Sequence, residues 1–258
     1  MERTLLERAL DRDRLIVLTG LIAAVALAWA WIVPMGRDMY GPMTGPSAWM
    51  MAADWDRTYY LLLFAMWAVM MIGMMLPSAA PTILIFAGIA RRSVDANAAT
   101  RASVFASGYL IVWLLFAAAA VALQRILSTA LILTPMMELS SPRASSAVLA
   151  LAGVYQFTAA KRACLLQCQS PTVFIARHWR GGAGGALGMG MLHGLHCLGC
   201  CWALMLLLFA GGVMHLPTIG LLTIFVLIEK LVPWGPRLSW YTWTTGSLLL
   251  FLAILELQ

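Results

Sequence analysis

Long apolar stretches separated by short polar segments run through almost the whole chain. A helix needs about 20 apolar residues to cross the hydrocarbon core of a bilayer. Seven stretches come close to that length, over residues 15–33, 59–80, 102–124, 144–163, 186–212, 216–232 and 240–257. No soluble domain separates them. The pattern therefore predicts an all-α fold, a polytopic transmembrane helical bundle of about seven spans that forms a single domain over residues 1–258.

The composition supports this interpretation. Of the 258 residues, 62% are hydrophobic and only 11% are charged, whereas a soluble domain carries about 25% charged residues. The mean hydropathy of +0.86 is also that of a membrane protein. Burial of a core therefore means packing of helices against each other within lipid.

The 17 lysines and arginines are distributed unevenly about the predicted spans. Only four lie in segments on the side opposite the N-terminus, namely Arg37, Arg57, Arg125 and Arg143. The other 13 share the side of the N-terminus, and the positive-inside rule then predicts a cytoplasmic N-terminus and an external C-terminus. The net charge of +6 is explained by topology, so no nucleic acid is expected as a partner.

One predicted span carries a concentration of metal-ligating side chains. The segment from Met189 reads M-G-M-L-H-G-L-H-C-L-G-C-C. Its histidines and cysteines recur at i, i+3, i+4, i+7 and i+8, which places them on one face of an α-helix. They are His193, His196, Cys197, Cys200 and Cys201. Thiolates and imidazoles together suit Cu(I), Zn(II) or iron–sulfur chemistry, so this face is interpreted as a metal or redox site.

A second pair of thiols, Cys164 and Cys168, follows the fourth predicted span. Both are expected to be reduced in the cytosol. At 1.5 Å per residue, Cys197 lies about 16 Å inside the fifth span, whereas Cys164 is expected at the inner surface. The two groups form one site only if the fifth helix begins later or residues 164–169 bend back into the membrane. Otherwise they form two sites.

Methionine is the third candidate ligand. Met66, Met70 and Met74 form a row at i, i+4 and i+8 in the second predicted span. A series with the same spacing in the first external segment comprises Met35, Met39 and Met43. Thioethers bind soft Cu(I) and discriminate against Zn(II) and hard cations, although methionine is also an ordinary filler of cores.

An acidic residue, Glu229, lies near the cytoplasmic end of the sixth predicted span. Ionisable groups inside a membrane are functional candidates by default. Glu229 has three interpretations: a metal ligand, a proton acceptor, or an ion-pair partner of Lys161. The adjacent Lys230 can instead extend its amine towards the headgroups.

Together these segments resemble a bacterial family of uncharacterised integral membrane proteins that is described as predicted metal-binding. The shared segments are M-M-I-G-M-M-L-P-S (70–78), Y-Q-F-T-A-A-K-R-A-C-L-L-Q-C-Q-S-P (155–171), G-M-L-H-G-L-H-C-L-G-C-C-W-A-L-M (190–205), G-G-V-M (211–214) and E-K (229–230). They occur in the same order over about residues 60–258. The resemblance implies a multi-pass protein of the bacterial inner membrane with a metal site. Position by position, it implies roles for Cys164, Cys168, Cys197, Cys200, Cys201 and Glu229-Lys230, but not for the histidines.

The predicted function is Cu(I) handling or transport through methionine and Cys/His sites, with zinc or iron as alternative metals. The expected partners are the bilayer, the metal ion and a soluble metallochaperone or a metalloenzyme. One alternative is a membrane thiol–disulfide oxidoreductase that uses the C-x-x-C or C-x-x-x-C pair. Another is a structural metal scaffold in a larger membrane complex. The sequence carries no nucleotide-binding or hydrolase motif, which makes an enzyme the less favoured interpretation.

Overall fold

The computed structural model of the chain describes residues 5–41, 43, 48, 55–92, 98–232 and 238–257. Its helices are α1 (Leu5–Met39), α2 (Arg57–Arg92), α3 (Ala98–Thr129), α4 (Pro142–Gln156), α5 (Ala159–Gln169), α6 (Pro171–His178), α7 (Gly182–Met205), α8 (Leu207–Gly211), α9 (Leu216–Leu231) and α10 (Leu238–Leu255). Within these described ranges the β-structure is limited to one isolated bridge, between Leu133 and Leu139. The prediction of an all-α fold is confirmed.

Four segments are long and apolar enough to cross a membrane: Leu15–Met39, Arg57–Arg91, Ala98–Thr129 and Gly182–Gly211. They coincide with the first, second, third and fifth predicted spans. The bundle of about seven spans is not confirmed, because the remaining apolar helices are shorter. A 16-residue helix such as α9 rises only about 24 Å, which falls short of a hydrocarbon core about 30 Å thick.

The fourth predicted span, residues 144–163, is wrong as a continuous helix. α4 ends at Gln156 and α5 begins at Ala159. Thr158 lies between them and caps α5, since its side-chain oxygen accepts a hydrogen bond from the Lys161 amide at 3.2 Å. The same hydroxyl donates to the Tyr155 carbonyl at 2.8 Å. A single polar side chain thus ends one helix and starts the next within an apolar stretch.

Helices α3 and α7 pack with their backbones in direct contact. A Cβ added at Gly190 would collide with the Phe105 carbonyl, and one at Gly108 would collide with the Leu187 carbonyl. At Gly194 an added Cβ would lie 3.0 Å from a neighbouring valine side chain. The small residues at Gly190 and Gly194, four positions apart, therefore allow α7 to approach α3 closely. No such contact surrounds an added Cβ at Gly181, Gly184 or Gly188.

Helix α2 contains two prolines, Pro77 and Pro81, and still runs unbroken past both of them. Pro77 has no amide hydrogen, so the Gly73 carbonyl one turn earlier loses its partner in the helix. The indole Nε1 of Trp29 on α1 donates to that carbonyl at 3.2 Å. Helix α1 therefore stabilises the kink-prone part of α2, which carries the predicted methionine row.

The outer surface of the bundle is apolar and its interior contains charge. Large hydrophobic side chains point outwards on several helices, among them Leu27, Leu115, Leu221 and Trp240, each more than 60% exposed. Inside, Lys161, Glu229 and Lys230 are almost completely buried among apolar side chains. This distribution is the reverse of that in a soluble protein, and it is compatible with a lipid environment.

Candidate metal centre

The predicted His/Cys face of α7 is directed largely into the bundle. His193, Cys197, Cys200 and Cys201 are at most 2% exposed. The thiols of Cys200 and Cys201 each donate to the Cys197 carbonyl, at 3.1 and 3.0 Å. His196 is only half-buried, and its Nδ1 contacts the Leu192 carbonyl at 2.8 Å. One face of one helix thus presents three thiols and one imidazole to the interior.

Helix α5 brings Cys168 to the cysteines of α7. Cys168 is 8% exposed, and its thiol interacts with that of Cys200. Cys164, one turn earlier, is half-buried and lies over Gly199, where an added Cβ would be 2.7 Å from its sulfur. The structure therefore corresponds to the arrangement in which residues 164–169 fold back against the fifth predicted span. The cysteines of α5 and α7 are neighbours.

A buried lysine occupies the centre of this thiol cluster. Lys230 of α9 donates a hydrogen bond to Cys197 Sγ at 2.7 Å, and its Nζ also lies 3.9 Å from Cys201 Sγ. Ser78 Oγ on α2 is a further acceptor at 3.4 Å. The alternative in which Lys230 reaches out to the headgroups is wrong, because the side chain is 4% exposed and directed inwards. Its positive charge lies next to the Cys197 sulfur, where it would stabilise a thiolate.

A buried ion pair adjoins the cluster. Lys161 Nζ lies 2.7 Å from Glu229 Oε1, and both side chains are fully buried. Of the three interpretations of Glu229, the structure favours the ion-pair partner. The other carboxylate oxygen, Oε2, has no hydrogen-bond partner within the described part of the chain. The Glu229 carbonyl accepts from Gln169 Nε2 at 2.7 Å, which ties α5 to α9.

A tyrosine of α3 contacts the same cysteine as Lys230. The Tyr109 hydroxyl lies 3.0 Å from Cys197 Sγ and 3.0 Å from the Met75 carbonyl, to which it donates. Its single proton therefore goes to the carbonyl, and its oxygen can accept from the thiol. Tyr155 of α4 performs a similar structural role by donating to the Gly199 carbonyl of α7.

The two histidines of α7 have different environments. His193 lies among aromatic rings, with centroids 5.7 Å from Tyr109 and 5.2 Å from Phe174. Its Nδ1 is buried and makes no hydrogen bond to any described residue. His196 packs edge-on against Phe174 at 5.9 Å. An unpartnered imidazole nitrogen beside the thiols marks His193 as the stronger candidate ligand of the two.

The predicted methionine row lies in the core of the bundle. Met66, Met70 and Met74 are fully buried on α2. Ser78, which contacts Lys230, lies four residues after Met74 and so extends the same row. At 1.5 Å per residue the three methionines lie about 18, 12 and 6 Å along α2 from Ser78. The row thus leads towards the cysteine cluster from the opposite end of the bundle without joining it.

Within the described residues, no set of three or more His, Cys, Asp or Glu side chains has a geometry ready to hold a metal ion. The donor chemistry nevertheless fits Cu(I), which two thiolates are sufficient to hold. Adjacent thiols of Cys168 and Cys200, and of Cys197 and Cys201, supply such pairs. All five cysteines are free. Pairs of thiols fit a soft monovalent ion such as Cu(I) better than a divalent ion such as Zn(II), which takes four ligands in a structural site.

The sequence did not identify Tyr109 or Ser78 as members of this site, and it indicated Lys230 only through the family resemblance. A lysine at the end of a span gives no local sign of whether it points inwards. Tyr109 carries a weak signal, because a phenol in the middle of an apolar span needs a polar partner. Ser78 could have been found from its spacing, since it extends the methionine row by one further step of four residues.

Comparison with known proteins gives one match. A family model described as copper chaperone, PpoB2, matches residues 64–255. No curated protein and no solved structure matches the chain. The matched region contains every cysteine, the methionine row of α2 and the Lys161–Glu229 pair. The chain therefore belongs to the copper chaperone family.

Proposed function

We propose that this protein is an integral membrane copper chaperone that binds Cu(I) through the cysteines of α5 and α7 and passes it on. The observation that carries the proposal is the convergence of Cys168, Cys197, Cys200 and Cys201 in the interior of the bundle. Thiolate is the protein ligand that selects Cu(I) most strongly. The family to which the chain belongs is described in terms of the same metal.

The buried charges support a monovalent ion. Lys161, Glu229 and Lys230 together carry a formal charge of +1, and isolated charge is costly in a medium of low dielectric constant. Two thiolates holding one Cu(I) carry a formal charge of −1. The assembly of ion, thiolates and the three charged side chains is then neutral overall. Glu229 contributes here by pairing with Lys161, and direct ligation by its free oxygen is the alternative.

The four long apolar helices and the apolar outer surface support a membrane protein, and the family resemblance supports a multi-pass protein of the bacterial inner membrane. The distribution of basic residues supports a cytoplasmic N-terminus. Lys161 and Lys230 are buried and so do not count as loop charges. If α4 and α5 together cross the membrane in place of the fourth predicted span, eleven basic residues remain on the N-terminal side against four on the other, and the predicted orientation is unchanged.

The methionine row supports transfer along α2. Met66, Met70 and Met74 place three buried thioethers between the far end of the bundle and the cysteines. Thioethers bind Cu(I) more weakly than thiolates, and a transported ion needs several moderate sites. The cargo would therefore move from thioether to thiolate towards the cytoplasmic side. A soluble metallochaperone or a metalloenzyme is the proposed recipient.

Metal analysis of the purified protein tests this proposal. We expect the full chain in detergent, loaded anaerobically, to retain copper against a Cu(I) chelator and to lose this ability in the triple variant Cys197→Ser, Cys200→Ser and Cys201→Ser. Gly188→Ala, at an uncrowded position of the same helix, is the matched control and should bind copper as the wild type does. Equal retention by the triple variant would contradict the proposal. Zinc or iron in the protein as purified would instead favour the structural scaffold.

A thiol–disulfide oxidoreductase is the second candidate, favoured by the contact between the Cys168 and Cys200 thiols on different helices. Their oxidation would form one S–S bond, with two protons released and two electrons passed to a quinone. Incubation of the protein with a soluble quinone under nitrogen, followed by thiol counting, tests this function. The loss of two thiols together with one quinol formed would support it. No loss would exclude this activity for that acceptor.

A further inference from the structure

A second cluster of polar side chains lies at the end of the bundle opposite the cysteines. The Tyr40 hydroxyl, just beyond α1, donates to Glu138 Oε1 at 2.6 Å. The Tyr40 ring lies 5.2 Å from the ring of His215, which precedes α9. Gly212 has a φ of +90°, and a Cβ there would be 2.8 Å from Glu138 Oε1. His215 is about 22 Å along α9 from Lys230, so the two clusters are separate.

Hydrogen bonds fix the tautomer of His215. Thr218 Oγ1 donates to the Gly211 carbonyl at 3.0 Å, which uses its only proton. The contact of 2.8 Å between His215 Nδ1 and Thr218 Oγ1 therefore has Nδ1–H as the donor. Nε2 is left with its lone pair and has no hydrogen-bond partner in the described residues. This is the usual arrangement of a metal-binding histidine, whose other ring nitrogen donates to a protein acceptor.

Soft ligands accompany this imidazole. Each member of the Tyr40–Glu138–His215 group is adjacent in sequence to a buried methionine, and these are Met39, Met137 and Met214. The segments containing Met214 and Met39 are in direct contact, since a Cβ at Gly36 would lie 2.9 Å from the Met214 carbonyl. The same three segments therefore carry buried thioethers and the available imidazole nitrogen, and thioethers favour Cu(I) over harder cations.

A carboxylate completes the group. The Tyr40 phenol holds the Glu138 carboxylate in place by donating to its Oε1 at 2.6 Å. Glu138 lies close to His215, since a Cβ added at Gly212 would be 2.8 Å from Glu138 Oε1 and 3.0 Å from His215 Cβ. The negative charge of Glu138 is available to offset that of a bound cation, because Oε1 alone is engaged by Tyr40.

We propose that His215, with the thioethers of Met39, Met137 and Met214 and the carboxylate of Glu138 around it, forms a second copper site that captures Cu(I) at the end of the bundle opposite the cysteines. This site rests on the proposed function in that its cargo continues along the methionine row to the cysteines. Imidazole and thioethers bind the ion more weakly than thiolates, which allows the captured ion to leave.

Copper titration in a background without the α7 thiols tests this second site by itself. The triple Cys→Ser variant of α7, purified in detergent, is titrated anaerobically with Cu(I) against a colorimetric chelator that is much weaker than the one used to test copper retention by the cysteines. We expect it to bind one equivalent, and the further substitution His215→Ala to abolish that binding. The matched control is His178→Ala, since His178 is also half-buried and bonded through Nδ1, at 2.9 Å from the Phe174 carbonyl. It should leave the equivalent intact.

Two further measurements separate this site from adventitious binding. Thr218→Val, which removes the acceptor for Nδ1–H, should weaken binding about tenfold with an unchanged size-exclusion profile. X-ray absorption of the copper-loaded triple variant should show one nitrogen together with sulfur around the metal. Zn(II) binding as tight as that of Cu(I) would overturn the role of the thioethers.

The outcomes distinguish the two proposals. The proposal of a second site is wrong if the triple variant binds no copper. It is also wrong if the triple variant still binds one equivalent after His215→Ala. Both conclusions hold whether or not the cysteines bind copper in the wild type. If the triple variant binds as much copper as the wild type and loses it only with His215→Ala, the second site stands. In that case the proposal of a cysteine site fails.

Discussion

Substitution of Glu229 provides a quantitative test of the buried ion pair in the interior of the bundle. At 2.7 Å from Lys161 Nζ, and with an effective dielectric constant of about 20, the attraction of Glu229 to the ammonium amounts to about 6 kcal/mol. This gain is largely offset by the desolvation of both ions, which costs several kcal/mol each. The substitution Glu229→Gln removes the attraction and leaves Lys161 charged and buried. We expect the free energy of unfolding to fall by about 3–5 kcal/mol.

The double variant Lys161→Met, Glu229→Leu separates this effect from a role in metal binding. Removal of both charges leaves no unpaired ion, so most of the lost stability should return. Denaturation in mixed micelles, followed by tryptophan fluorescence, measures each value. The matched control Glu256→Gln, at an exposed position near the C-terminus, should stay within about 0.5 kcal/mol of the wild type.

Two results would refute this reasoning. Unchanged stability of Glu229→Gln would mean that no charged pair is buried at this position. A stable double variant that no longer binds Cu(I) would show that Glu229 is a ligand as well as a partner of Lys161. Retention of copper by the double variant is the expected result.

Three other substitutions test the packing, the surroundings of the thiols and the methionine row. Gly190→Ala should lower the free energy of unfolding by about 1–3 kcal/mol, because its Cβ has no room against α3. The control Gly188→Ala should not lower it, and thermal unfolding compares the two variants. Tyr109→Phe removes the hydroxyl 3.0 Å from Cys197 Sγ, which would turn to donate to this sulfur once it is a thiolate, and should weaken Cu(I) binding about 10-fold or more in chelator competition. Met70→Leu conserves volume and should cost less than about 1.5 kcal/mol, yet it should slow copper uptake into proteoliposomes; an unchanged rate would exclude this thioether from the path.

The apolar pattern predicted the long helices well, because a stretch of 25 or more apolar residues has few alternatives to a spanning helix. The pattern failed at residues 144–163, because Thr158 caps a new helix there and a hydrophobicity pattern does not detect helix caps. The same failure produced the depth problem between Cys164 and Cys197. Once α5 folds back against α7, the separation measured along a single straight span no longer applies.

The sequence predicted which residues carry the candidate site's chemistry, but it predicted their arrangement only for the part that lies on one helix. The spacing of Cys197, Cys200 and Cys201 determines a common face wherever α7 packs, and burial of that face follows from its position in the bundle. The contacts of Lys230 and Tyr109 with Cys197 join α9 and α3 to α7 across long separations in sequence. Such contacts depend on the packing of the helices and leave no local periodicity.

The backbone contact between α3 and α7 determines how the cysteines can become accessible. With glycines pressed against carbonyls, α7 cannot rotate or slide on α3 without a collision. Helix α5 is different, since it has 11 residues and is joined to α4 through a break at residues 157–158. On the proposed function, exchange of copper with a partner would then require α5 to swing about this hinge. That movement would uncover Cys168 and Cys200 together, and it would break the Lys161–Glu229 pair that joins α5 to α9.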